Sequence, residues 1–139
     1  MICILKEKPF QSRVSSVLNR DVKQYGKKYL FDECEETCWN SDQGSPQWIA
    51  IELESAEAIH SFKIQFQGGF AGSKCHLETG MVAGDMEKVE SFYPEDVNSV
   101  QTFQLTKPVT AKYMKFVFES STDFFGRIIV YKLEVFGAP

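Results

Sequence analysis

No apolar run in this chain approaches the ~20 residues that a helix needs to cross a bilayer. The one at its start, Met1-Ile2-Cys3-Ile4-Leu5, is stopped at once by Lys6-Glu7-Lys8-Pro9. It is too short for the core of a secretion signal, so the expectation is a soluble, unsecreted protein with no membrane partner. Histidine is scarce, with only His60 and His76. A Ser, Cys or Thr nucleophile needs a base beside it, most often a histidine held by a third group. Neither a Gly-x-Ser-x-Gly elbow nor a His-Glu-x-x-His pattern occurs, and no enzyme activity is assigned. Positive charge is short as well: 15 Lys and Arg stand against 19 Asp and Glu, a net charge of −4. Affinity for nucleic acid comes largely from clustered cations that release counterions, so nucleic acid is excluded as a direct ligand.

Other absences narrow the field further. The four cysteines, Cys3, Cys34, Cys38 and Cys75, lack the secretory context in which disulfides persist and are read as reduced thiols of a cytosolic or nuclear protein. Cys34 and Cys38 have no second pair at finger spacing, which speaks against zinc. The stretch Gly68-Gly69-Phe70-Ala71-Gly72-Ser73 lacks the Gly-Lys-Ser/Thr ending of a phosphate cradle and reads as a hairpin loop. No linker, repeat or low-complexity segment divides the 139 residues, and one domain over residues 1–139 is the expectation.

What the chain does have is aromatic, alternating and acidic. Twelve Phe and five Tyr sit in short apolar runs, the usage that favours strands. Ile49, Ile51 and Leu53 fall on one face of Gln47 to Leu53. Phe62, Ile64 and Phe66 do the same in Ile59 to Gln67, Met114, Phe116 and Phe118 in Tyr113 to Ser120, and Ile129, Tyr131, Leu133 and Val135 in Arg127 to Phe136. This period of two is that of half-buried strands. Weaker strands are predicted at Lys74 to Glu78, Glu87 to Tyr93 and Val100 to Leu105, with a short extended piece at Arg13 to Asn19 and a connection at Glu54 to Ala58. Seven or eight short strands without a helix longer than a turn or two predict an all-β sandwich or jelly roll. The basic cluster Arg20, Lys23, Lys27 and Lys28 reads as a solvated turn.

The acidic stretch is the most suggestive. Asp32, Glu33, Glu35, Glu36 and Asp42 lie within eleven positions. Calcium takes about six to eight oxygens, mostly from carboxylates, hydroxyls and carbonyls, so the loop reads either as a calcium site or as a solvated acidic surface. An aromatic alternative lies elsewhere. Phe70, Phe124 and Phe125 fall on predicted loops, where exposed rings could stack on a sugar; Phe124 and Phe125 could instead pack the end of the sandwich.

The order of Leu30-Phe31-Asp32, Thr37 and Trp39, then Gln47-Trp48-Ile49, then Leu133-Glu134-Val135-Phe136-Gly137 resembles the discoidin domain, or coagulation-factor C-type domain, of the galactose-binding-like superfamily. The resemblance runs from about Val14 to Gly137. It implies an eight-stranded jelly-roll β-sandwich with the galactose-binding-domain fold. It also implies a structural calcium held by Asp32, the carbonyl of Cys34, Thr37 and Glu134, with the carbonyls of Tyr29 and Leu133 as further ligands. Trp39 then becomes a structural anchor, leaving Glu33, Glu35, Glu36 and Asp42 for a partner. Secreted members commonly close the domain with a terminal disulfide. Cys3 has no cysteine near Pro139 to pair with, and this departure implies an intracellular home. Ser12 to Arg20, Glu35 to Gly44, Phe62 to Phe70, Phe92 to Asp96 and Thr122 to Arg127 are also similar to a small stand-alone nuclear branch of the family. That similarity implies a non-catalytic module in the nucleus, with the cytoplasm as a second compartment. Its implied partner is an orphan nuclear receptor, whose transactivation it represses by keeping the receptor off its DNA response element. A carbohydrate-binding, lectin-like module is the alternative.

Overall fold

The alternating segments become strands, and two of them run on further than their patterns predict. The computed structural model describes residues 1–138. Its strands are β1 (Ile2–Cys3), β2 (Phe10–Val14), β3 (Trp39–Asn40), β4 (Gln47–Phe66), β5 (Gly72–Gly80), β6 (Glu87–Phe92), β7 (Gln101–Ser121) and β8 (Ile129–Gly137), accompanied by single-turn helices α1 (Ile4–Glu7) and α2 (Val22–Tyr25). All pairings are antiparallel. The sandwich follows from how β4 and β7 are shared. In one layer, β2 pairs with the first half of β4, which pairs with the second half of β7, then β5 and β6. In the other, the first half of β7 pairs with the second half of β4, then β8, flanked by β1 and β3.

Each long strand passes from one layer to the other at an irregularity. The β4–β7 register shifts between Glu52 and Glu57 and again between Ile59 and Ser61. Extra residues of this kind bend a strand and reverse which side chains face inward. Accordingly the buried set in β4 moves from odd positions (Ile49, Ile51, Leu53, Ile59) to even ones (Phe62, Ile64, Phe66). In β7 it moves from Leu105 and Ala111 to Met114, Phe116 and Phe118. The predicted connection at Glu54 to Ala58 is therefore strand, and the two segments expected on either side of residue 109 are one. Two further expectations are corrected. The Gly68–Ser73 stretch is not a hairpin, because β4 and β5 each pair with β7 rather than with each other. Arg13 to Asn19 is strand only as far as Val14, after which Leu18–Arg20 forms a 3-10 turn with Asn19 and Arg20 at positive φ.

Aromatic rings fill the space between the layers. Phe62 packs edge-on against Phe92 (4.9 Å) and Phe116 (5.0 Å), while Phe118 meets Phe66 at 5.6 Å and Trp39 at 6.4 Å. Such pairs contribute about 0.5–1.5 kcal/mol each beyond the area they bury.

Candidate functional site

The acidic loop is brought to the flank of β8 by what lies on either side of it. On its near side a 3-10 turn (Lys27–Leu30) buries Leu30, and Phe31 packs edge-on against Phe10 at 4.9 Å. On its far side Trp39 is fully buried, pairs with Val130 through β3, and donates its ring N–H to the Ser16 carbonyl at 2.9 Å. Between these anchors Asp32 organises the turn. Its carboxylate accepts the Cys34 N–H (3.1 Å) and the Thr37 hydroxyl (2.6 Å), and the Thr37 oxygen lies 3.3 Å from the Cys34 carbonyl. Side-chain oxygens of Asp and Thr commonly stabilise turns in this way.

Glu134 makes a different contact. Its carboxylate is 2.9 Å from the ammonium of Lys6, which is also 2.6 Å from Glu33. The four residues expected to hold calcium therefore divide: Asp32, Thr37 and the Cys34 carbonyl converge, whereas Glu134 joins Glu33 on Lys6. Among the described residues no group of three or more His, Cys, Asp or Glu side chains is arranged to hold a metal ion. Hydrogen bonds to Glu33 and then Glu134 raise the Lys6 ammonium above the usual lysine range, and the same bond from Lys6 holds the Glu33 carboxyl below its usual range. Glu33 has a backbone φ of 58°, a left-handed conformation that costs a non-glycine residue roughly 1–2 kcal/mol. Of the residues expected to meet a partner, Glu35 and Glu36 are exposed, and Glu33 is exposed but paired. Asp42 is half-buried, its carboxylate accepting the Gln43 N–H at 3.1 Å.

Asp42 belongs to a polar network that the sequence did not announce. Gln47 is buried, and its amide donates to the carbonyls of Asp42 (3.1 Å) and Gly44 (2.8 Å), while its oxygen accepts from the hydroxyls of Ser15 (2.5 Å) and Ser16 (2.7 Å). Those hydroxyls in turn accept the N–H groups of Trp48 (2.9 Å) and Asp42 (3.0 Å). Gln47-Trp48-Ile49 and the stretch Ser12 to Arg20 each carried part of the resemblance, but nothing in their spacing showed that they meet.

The network holds one side of the aromatic tip. The Gly44 N–H donates to the Phe125 carbonyl (2.8 Å), the Gly126 N–H to that of Asp123 (3.0 Å), the Arg127 N–H to the Asp123 carboxylate (3.1 Å), and the Asp123 N–H to the Ser121 hydroxyl (2.9 Å). Gly126 is required here. Its φ is +86°, and a Cβ would lie 2.7 Å from the Gly44 carbonyl oxygen. Held this way, Phe124 is 94% exposed and Phe125 59% exposed, with the rings edge to face at 5.3 Å. They do not pack the end of the sandwich. Phe70 is half-buried beneath the Arg127 guanidinium, 5.0 Å away, and Arg127 also donates to the Asn40 side chain at 2.9 Å.

The two histidines form no nucleophile–base pair. Both ring nitrogens of His76 face carboxylates, Glu119 at 2.7 Å and Glu78 at 2.8 Å, and the bond from His76 holds the Glu119 carboxyl below its usual range. His60 is half-buried on β4. Burial and the nearby Glu119 charge push the Cys75 thiol well above its ordinary range, the opposite of a reactive cysteine.

This architecture agrees with comparisons to known proteins. A family model described as "NedA-like, galactose-binding domain" matches residues 29–116. The chain belongs to that family. Over 127 residues it is 54% identical to the "Nuclear receptor 2C2-associated protein" of Danio rerio, spanning 91% of this chain and 90% of that one. The protein of the same name from Homo sapiens is 49% identical over 126 residues, 91% of this chain and 90% of that one. Among solved structures, the chitosan-binding module 1 of a Paenibacillus chitosanase/glucanase superposes with a TM-score of 0.79 at 20% identity, covering 99% of this chain and 100% of that one. CpGH89CBM32-5 from Clostridium perfringens, in complex with GalNAc-beta-1,3-galactose, gives 0.78 at 20% identity over 92% and 95%. At such identities these last two are likenesses of fold.

Proposed function

We propose that this galactose-binding-type domain is a non-catalytic nuclear module that associates with a nuclear receptor of the 2C2 kind and represses it by covering its DNA-binding surface. Relatives at about half identity are named for association with that receptor. The observation that carries the reading is the Phe124–Phe125 tip, two adjacent rings held in water by a turn that backbone and side-chain hydrogen bonds brace on both sides. Exposed apolar residues on a preorganised loop are the raw material of an interface anchor. The acidic loop supplies the second element. Glu35 and Glu36 project from the loop that Asp32 and Trp39 fix, and complementary charge steers a module of this kind towards a surface built to bind phosphates.

Association of the chain with immobilised full-length nuclear receptor 2C2, measured at low and high salt, tests this. Charge reversal at Glu35 and Glu36 together, which leaves the Lys6–Glu33 pair in place, is expected to slow association and flatten its salt dependence. Unchanged kinetics in that variant would eliminate the electrostatic route.

The exposed Phe124 ring favours a second reading, a lectin-like module that stacks a sugar on the tip. A glycan array probed in calcium and in chelator decides it, and an array without signal in either condition removes it.

A further inference from the structure

We propose that the ammonium of Lys6 is the resident cation of this fold's clasp, joining the acidic loop to the last strand in place of a calcium ion. This inference is independent of the receptor reading. It begins with how Lys6 reaches its position. β1 pairs with the end of β8, setting Ile2 opposite Gly137 and Cys3 opposite Phe136. The turn of α1 then buries Ile4 and Leu5 and closes with the Lys8 N–H on the Ile4 carbonyl, which carries Lys6 alongside Glu134. Its ammonium lies 2.9 Å from Glu134 and 2.6 Å from Glu33. One positive charge thus ties together α1, the acidic loop and β8.

The burial pattern shows why a cation is needed. The Glu134 side chain is only 14% exposed, and a covered carboxylate is tolerated when a positive partner satisfies it. The cationic side chain of β8 itself, Lys132, makes no ion pair within 4 Å among the described residues, whereas Lys6 of α1 contacts both carboxylates directly. Calcium at this place needs about six to eight oxygens. Here the carboxylates expected to hold it are engaged, Asp32 with the Thr37 hydroxyl and the Cys34 N–H, Glu134 with Lys6, which also holds the neighbouring Glu33. A divalent ion would have to expel an ammonium that already neutralises two carboxylates. The loop's position therefore does not depend on the calcium level around it.

The test uses the full chain, with melting temperature read in millimolar calcium chloride and in chelator. The unmodified chain is expected to melt at the same temperature in both, because a ligand raises stability only if it binds the folded state. Lys6→Met, which keeps the apolar stem and removes the charge, is expected to melt several degrees lower. Lys6→Arg, which restores the charge, is expected to melt with the unmodified chain. A rise in melting temperature of the unmodified chain on adding calcium overturns the proposal, as does Lys6→Met melting unchanged. Should Lys6→Met fail to fold, calorimetric titration of the unmodified chain with calcium decides alone, and a saturable heat of binding overturns the proposal.

Discussion

Phe124 has 94% of its surface in water, although sequestering a ring of that size typically stabilises a protein by about 1.5–3 kcal/mol. The turn leaves it no inward option, since Gly126 and Gly44 lock the backbone beneath it and Asp123 and Ser121 hold the flanks. A residue that packs against so little in the free chain can be changed without unfolding it. Phe124→Ser is expected to leave the denaturant midpoint within about 0.5 kcal/mol of the unmodified chain, as for surface positions generally. If the ring is the anchor, the same change weakens receptor binding roughly 30-fold, the loss of about 2 kcal/mol that marks an interface hot spot. Paired urea titration and surface-plasmon measurements check both halves. Trp39 is the opposite case. The family resemblance implied that it is an anchor, and it is one, buried and hydrogen-bonded to Ser16. The exposure of Phe124 was not legible, because two adjacent phenylalanines read the same whether they close a core or stand outside it.

At the scale of elements, the sequence shows strands well and their joins poorly. Ile49 to Leu53 and Phe62 to Phe66 each announce themselves by period two, but the register shifts between them interrupt that period, and Glu54 to Ala58 then looks like a loop. β7 hides its continuity in the same way. Contacts between distant elements are also invisible in a one-dimensional pattern. Lys6 meets Glu134 across almost the whole chain, and Ser15 and Ser16 meet Gln47 from another strand. The Gln47 network joins β2's exit, the loop before β4 and β4 itself, so its loss acts on all three. Gln47→Ala takes the amide donor from the Gly44 carbonyl and the acceptor from the Ser15 and Ser16 hydroxyls, and each buried polar group left unmatched costs about 1–3 kcal/mol. Chemical denaturation is expected to show a loss of roughly 2–4 kcal/mol. Because the Gly44 loop also supports the aromatic tip, receptor binding should fall with it.

The whole molecule carries a net charge of −4 distributed unevenly. The exposed basic residues Arg20, Lys23, Lys27 and Lys28 occupy the turns that precede the acidic loop, with Lys27 donating to the Ser12 carbonyl, so the two charge clusters are near neighbours in sequence. In the proposed role, a module of this charge competes for DNA by occupying the receptor that binds it, since clustered cations are what nucleic-acid affinity requires. The most direct measurement is the anisotropy of a labelled response-element duplex bound by nuclear receptor 2C2, followed as the module is added at physiological salt. The expected result is a saturable fall to the value of free duplex, with the module alone leaving the duplex signal unchanged. A rise in anisotropy, meaning that the module rides on the receptor–DNA complex, or a constant signal at saturating module would contradict the proposed role.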